Sequence, residues 1–428
     1  MTLAARMADI APFHVMELMA RARKLEAEGR SIIHMEVGEP DFPTPQPILD
    51  AAAAYIREGH VFYTHALGLP QLREAISDFY ASRYGVRVSP ERIIVTAGAS
   101  GALLLALGAL IDPGDELLLP DPGYPCNRHF TRLFEGRAVP LNVGPENDYQ
   151  PTAAEVAAAW TSRTRGLLVA SPANPTGAML DRTRLADLWR TIADRGGALL
   201  VDEIYHGLTY APQEVVLGHA PQEVVLGRAP QQATLGNAEG SSGPLGGKHA
   251  AETALAISDD IFVINSFSKY FNMTGWRLGW LVAPARHVRE IEKLAQNLFI
   301  SPSAPAQYAA LAAFHPDTIA LLEQRRLEFQ SRRNLLLPGL RRLGFKIAAE
   351  PQGAFYIYAD CSELGNDSYR LASELIEQAG VAITPGLDFG ANAPERHLRF
   401  AYTVSGELLE EGLARLARHF SRSGGQGG

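Results

Sequence analysis

The sequence predicts an α/β fold: a large domain built on a mostly parallel sheet with helices on both faces, and a smaller α+β domain. Three observations carry this. Between residues 92 and 282, short leucine-rich or β-branched runs alternate with helical patterns. Strands that apolar are covered on both faces, and their alternation with helices marks a parallel sheet. After residue 285 the pattern becomes helical and then mixed. The chain has 428 residues, 46% hydrophobic and 20% charged, which supplies core for a large domain and a companion and excludes disorder along the whole length.

In chain order, Val15, Leu18, Met19, Ala22 and Leu25 fall at helical spacing, and Gly29 is a natural stop. "VGEPDFPTP", Val37 to Pro45, is an irregular proline-rich loop. Helices are expected over Pro47–Glu58 and Leu69–Tyr84. Seven strands are expected at Arg92–Thr96, Glu116–Leu119, Arg137–Val143, Gly166–Ala170, Gly197–Val201, Ile261–Asn265 and Leu278–Val282. Helices between them include Gly101–Leu110, Thr152–Ala159 and Arg182–Arg195. A long charged helix follows near Pro316–Leu336, then strands near Ala354–Ala359, Val381–Thr384 and Leu398–Tyr402. The expected division is a large domain over 46–320 and a small one over 321–428, to which residues 1–45 contribute.

One stretch breaks this order. "APQEVVLGH" (Ala211–His219) recurs as "APQEVVLGR" (Ala220–Arg228) and, decayed, as "APQQATLGN" (Ala229–Asn237), before a Gly/Ser-rich run to Gly247. Nine residues is too short a period for a helical solenoid. A structureless loop of ~40 residues is rare in a compact domain. Residues 211–250 therefore read as a flexible surface insertion. The rival is a partner-binding element whose Val-Val-Leu triplets pair as exposed strands.

Composition excludes several functions. The net charge of -8 disfavours broad attraction to nucleic acid or anionic lipid. Cys126 and Cys361, the only cysteines, cannot form a metal cluster or staple a fold of this size, so a reducing compartment, the cytoplasm, is expected. The longest strongly apolar run, near Gly101–Ile111, is short of the ~20 residues a membrane-spanning helix needs. No apolar core precedes Asp9, so no secretory signal is read.

Lysine occurs only at 24, 248, 269, 293 and 346, so chemistry that needs a primary amine has few candidates. Lys269 lies in "SFSKYFNMTGWRLGW", just past an apolar strand. Desolvation there lowers a lysine pKa and makes the amine a usable nucleophile. Ser266, Ser268 and Arg277 around it form a set suited to a phosphate. Asp202 ends a strand in "GALLVDEIYHGL", with Tyr205 three residues on; alone it suits a helix N-cap equally well. Asn174, in "SPANPTG", alone suits a turn. "TAGASGALLLAL" opens a strand-to-helix turn whose N–H groups can face an anion. "DPGYP" places Tyr124 on a loop at a sheet edge.

Together these segments, with "LRFAY", resemble the class I/II aminotransferases, the fold-type-I pyridoxal-phosphate enzymes. The resemblance covers about residues 30–410 without the repeats. It implies a seven-stranded, mostly parallel large-domain sheet, and pyridoxal 5'-phosphate as cofactor. It implies that Lys269 forms a Schiff base with the cofactor and then carries a proton as general acid and base. Asp202 would pair with the pyridinium nitrogen. Tyr205 and Asn174 would hydrogen-bond the phenolic oxygen, and Tyr124 would stack on the ring. Ser266, Ser268, Arg277 and the backbone near Ala99 and Ser100 would hold the phosphate. Tyr63, in "FYTHALGLPQLREAI", would reach it from a neighbouring subunit, which implies a homodimer. Arg399 would grip the substrate α-carboxylate, with Asn174 and the Gly38 backbone beside it.

The implied reaction moves an α-amino group from an amino acid to a 2-oxo acid. One departure bears on substrate. In a bacterial aspartate aminotransferase subgroup the phosphate turn reads Gly-Gly-Lys, and that lysine helps bind a distal carboxylate. Here it reads Gly98-Ala99-Ser100, so strict aspartate specificity is not expected. Arg128 and Arg132 follow the Tyr124 loop, with a surface role as the plain alternative. A β-eliminating carbon–sulfur lyase shares the same positions. A ligand-sensing module is disfavoured, since only about 30 residues precede "HMEVGEPDF".

Overall fold

The computed structural model describes residues 3–210 and 252–423. The repeats of the sequence, expected to form a surface insertion over 211–250, lie outside the described residues. Twelve strands follow in chain order: β1 (Ile33–His34), β2 (Ile93–Thr96), β3 (Glu116–Asp121), β4 (Arg137–Asn142), β5 (Thr164–Ala170), β6 (Ala198–Asp202), β7 (Phe262–Ser266), β8 (Gly279–Val282), β9 (Tyr356–Asp360), β10 (Val381–Ala382), β11 (Thr384–Pro385) and β12 (His397–Ala401).

The large sheet has the order β2-β8-β7-β6-β5-β3-β4. Strand β8 runs antiparallel to both neighbours, and the other pairs are parallel. All seven expected strands are in it. Alternate residues supply two cores: Leu167, Val169, Leu199, Val201 and Val263 face one, while Leu168, Leu200, Phe262 and Ile264 face the other. That period of two, apolar on both sides, is why the strands read as continuous hydrophobic runs. Strand β3 extends two residues beyond its expected end because β4 pairs it as far as Asp121.

Helices cover the sheet, among them Gly98–Leu110, Pro70–Tyr84 and Arg182–Ala193. The long helix spans Pro316–Arg342. A second sheet has the order β11-β12-β9, all antiparallel. The single strand expected over Val381–Thr384 is two. Val381 and Ala382 pair with β1, while Thr384 and Pro385 pair with β12, so the chain changes partner at Ile383. The first helix spans His14–Ala27 and starts without a capping side chain of its own.

The parallel strands set the site. β3, β5, β6 and β7 end at Asp121, Ala170, Asp202 and Ser266. The loops beyond those ends carry Tyr124, Asn174, Tyr205 and Lys269 to one edge, where ligands of open α/β sheets bind.

Candidate active site

A cavity of about 300 Å³ lies at this edge. Its lining includes Lys269, Asp202, Asn174, Tyr205 and Tyr124, with Arg399 and Gly38 from outside the large sheet. Ala99, Ser100, Ser268 and Arg277 line it too.

Lys269 follows β7. Its Nζ donates to the Gly38 carbonyl at 2.7 Å. Burial lowers its pKa to about 8; Arg399 and Arg277 push the same way, against Glu39 and Asp202. Asp202 closes β6 and is 7% exposed. Burial raises its carboxyl to about 6, although the Ile204 N–H donates to it at 3.0 Å and Lys269 is near. A low-dielectric pocket thus brings an amine and a carboxyl close to neutral pH, where both exchange protons readily.

Arg399 lies on β12 and is 6% exposed. Its Nη1 donates to Asn174 Oδ1 at 3.0 Å. Its Nη2 donates to the Glu36 carbonyl at 2.6 Å and to Thr384 Oγ1 at 3.1 Å. Its guanidinium lies 4.3 Å from the Tyr356 ring centroid and 5.0 Å from that of Phe389. Its Nε is buried and makes no hydrogen bond. A buried guanidinium with an unpartnered N–H is poised for an incoming anion. The Tyr205 and Tyr356 hydroxyls are 2.9 Å apart, and burial pushes the Tyr205 phenol well up, so it stays a neutral donor.

The opposite end is an anion cradle. Helix Gly98–Leu110 begins with no side-chain cap, and Ala99 and Ser100 stand in its first turn. Its N–H groups and dipole favour negative charge there. Arg277, at φ 51°, crosses Gly98; a Cβ on Gly98 would sit 2.7 Å from Arg277 Nη2, and Gly98 itself has φ +71°. Only glycine meets both demands. Ser266 is buried one layer behind the cavity. Its hydroxyl lies 2.9 Å from that of Ser268 and 3.1 Å from the Leu278 carbonyl, so it orients Ser268.

Gly38 is needed for room, because a Cβ there would run into the Tyr356 hydroxyl. Tyr63 does not join the cavity of its own chain. It is 81% exposed, beside Phe62 at 72%, on a separate hollow where Tyr55 and Tyr308 stack with centroids 4.0 Å apart.

Sequence reasoning did not assign to the site Tyr356, Thr384 or the apolar trio Phe13, Val15 and Met16, all of which line the cavity; it named Val15 only as a helix position. Tyr356 and Thr384 look like ordinary strand residues in sequence, and the trio sits about 250 residues from Lys269. Among the described residues no group of three metal-ligating side chains occurs, and no helix is long and apolar enough to cross a membrane.

An open α/β sheet with a buried lysine and an aspartate at its strand ends, and a carboxylate-ready arginine brought to them from the second sheet, defines an enzyme of amino-group transfer. The chain belongs to the class I and II aminotransferases, whose family model matches residues 30–416. It is 35% identical to a valine–pyruvate aminotransferase of Mycobacterium tuberculosis, over 96% of each chain. It is 32% identical to an aspartate/prephenate aminotransferase of Thermus thermophilus, over 98% of this chain and 99% of that one. The crystal structure of an aminotransferase from M. tuberculosis superposes with a TM-score of 0.87 at 34% identity, covering 99% of this chain and 100% of that one. A putative aminotransferase from Silicibacter pomeroyi gives 0.83 at 39% identity, covering 99% and 100%.

Proposed function

We propose that this aminotransferase uses pyridoxal 5'-phosphate, works as a cytoplasmic homodimer, and exchanges the amino group of an amino acid with a 2-oxo acid. The observation that carries the reading is the convergence of Lys269, Asp202 and Arg399 on one cavity.

The donor set fits the cofactor. Ser268, Arg277 and the N–H groups of Ala99 and Ser100 would hold the phosphate, with Ser266 behind Ser268 and Tyr63 of the partner subunit completing the ring of donors. Asp202 would hold the ring nitrogen, and its raised pKa means that a cationic partner suits it better than water does. Asn174 and Tyr205 would bond the phenolic oxygen, and Tyr124 would cover the ring. When bound, pyridoxal phosphate supplies the aldehyde that accepts the amino group and the ring that takes up electrons.

The protein does the rest. Arg399, with Asn174 and the Gly38 backbone, fixes the α-carboxylate and so aims Cα at Lys269. Lys269 Nζ removes the Cα proton and later returns it. A pKa of about 8 suits that traffic near neutral pH. The names of the relatives cover an aliphatic donor, valine, and an acidic one, aspartate.

The test is the visible absorption of the purified protein. Adding one amino acid alone should bleach the cofactor band, and a 2-oxo acid should restore it. Lys269→Ala should lose the band and the turnover. Ammonia and pyruvate released from cystathionine would instead mark a lyase. Absence of any band with added pyridoxal phosphate would overturn the cofactor assignment.

A further inference from the structure

We propose that the donor amino acid carries an uncharged aliphatic side chain, selected by a wall of Phe13, Val15 and Met16. The inference rests on the substrate pose that Arg399 and Lys269 set in the proposed reaction. Three cations line the cavity: Lys269, Arg277 and Arg399. The first is committed to proton transfer at Cα, the second stands at the anion cradle, and the third takes the α-carboxylate. Among the described residues of the lining, no cation is left for a second carboxylate.

The unassigned surface is apolar or acidic. Phe13, Val15 and Met16 come from the N-terminal segment and line the cavity on one side. Asp388 lies against them, 3% exposed. Its two carboxylate oxygens accept the His14 N–H at 2.8 Å and the Val15 N–H at 2.9 Å. That clasp fastens the apolar wall to the site. It also fixes a negative charge in low dielectric, which repels an acidic side chain and leaves an aliphatic one unaffected. Phe13 and Val15 are half-buried and Met16 is exposed, so an aliphatic substrate gains by covering them.

The rival cation tied to the clasp is Arg128. It lines an adjoining cavity of about 740 Å³, which shares Tyr124, Asn174 and Phe389 with the first. Its Nη2 donates to the Asp388 carbonyl at 3.1 Å, and its side chain is not among those that line the first cavity.

The experiment uses the holoenzyme and compares L-valine, L-alanine, L-aspartate and L-glutamate in the amino-donor half-reaction. Valine should exceed both acidic donors in kcat/KM by about 10-fold or more, the scale on which a shaped apolar pocket discriminates. Phe13→Ser should lower kcat/KM for valine by several-fold more than for alanine. A second readout is binding without turnover. Isovaline and 2-methylaspartate lack a Cα proton; calorimetry should show isovaline binding more tightly, and Phe13→Ser should weaken isovaline alone. Aspartate or glutamate equal to valine would overturn the proposal. So would a Phe13→Ser loss equal for all donors, or a selective loss of aspartate conversion in Arg128→Gln. Should no amino acid be converted, the transamination reading falls instead, and the two binding constants then test the wall by themselves.

Discussion

Asp202 shows how one residue's burial is set against its task. Its carboxyl rises from an ordinary 3.8 to about 6 in the folded protein. A raised folded pKa means that the native state binds the proton more tightly than the unfolded chain does. The stabilising contribution is full below pH ~4 and is lost as the pH rises through about 6. At pH 7.5 the cofactor-free protein therefore carries a buried charge at a cost that a cationic ring nitrogen would relieve. Asp202→Asn, which keeps the Oδ1 acceptor for the Ile204 N–H, should make the cofactor-free form more stable by about 1–3 kcal/mol at pH 7.5. The gain should vanish near pH 4, and the same variant should bind pyridoxal phosphate more weakly. Urea unfolding at the two pH values, with a cofactor titration, checks this. An unchanged midpoint at pH 7.5 would show that the carboxyl is not strained by burial. Lys269 obeys the converse rule. Its pKa falls to about 8 from 10.5, so the native state gains stability as the pH rises from about 8 toward 10.5 and carries the full cost of a protonated amine below that window. These two residues were legible in the sequence because each follows an apolar strand with characteristic neighbours. Ser266 was legible as a phosphate-side serine, yet its place behind Ser268 depends on a hydrogen bond that no spacing encodes.

Among the elements, the helix His14–Ala27 gains its N-terminal cap from a residue 374 positions away. The uncapped N–H groups of a first turn need an acceptor, and Asp388 serves two of them. Asp388→Asn offers one acceptor oxygen in place of two and no charge to meet the helix dipole. The loss should be about 1 kcal/mol, the usual worth of a cap. Hydrogen exchange should then speed up at His14 and Val15, and KM for valine should rise several-fold, more than kcat falls. A uniform loss of kcat with KM unchanged would separate the clasp from substrate selection. This contact explains the limits of sequence reading at this scale. The strands β5, β6 and β7 could be read because both their faces are buried and the apolar run is local. The split of β10 from β11 could not, because the switch at Ile383 is made by partners from Ile33 and Arg399. Helix Cys126–Leu133 was also missed; it has eight residues, and its apolar stripe is only Cys126, Phe130 and Leu133, too short a pattern to stand out between two strands.

For the whole molecule, Tyr63 is the residue that the single chain leaves idle. With Phe62 it stands 72–81% exposed, away from the cavity its sequence context matches. Large exposed aromatics grouped on one face mark an interaction surface, and the proposed homodimer would give this one a purpose: the partner subunit's Tyr63 would reach the phosphate cradle. Each site is then composite, and that can be tested by complementation. One protomer carries Lys269→Ala and the other Tyr63→Ala, and the hybrid is isolated through two affinity tags. The Lys269→Ala homodimer should be inactive. The Tyr63→Ala homodimer should bind cofactor about 10-fold more weakly, as expected for loss of a hydrogen bond to a charged group. In the hybrid, the intact lysine sits beside the intact tyrosine contributed by the other chain. Measured at limiting cofactor, it should recover about half the activity of the unmodified dimer, because one of two symmetric sites is whole. If Tyr63 served its own chain, the hybrid's only lysine would lie beside the truncated side chain, and activity per lysine would stay at the level of the Tyr63→Ala homodimer.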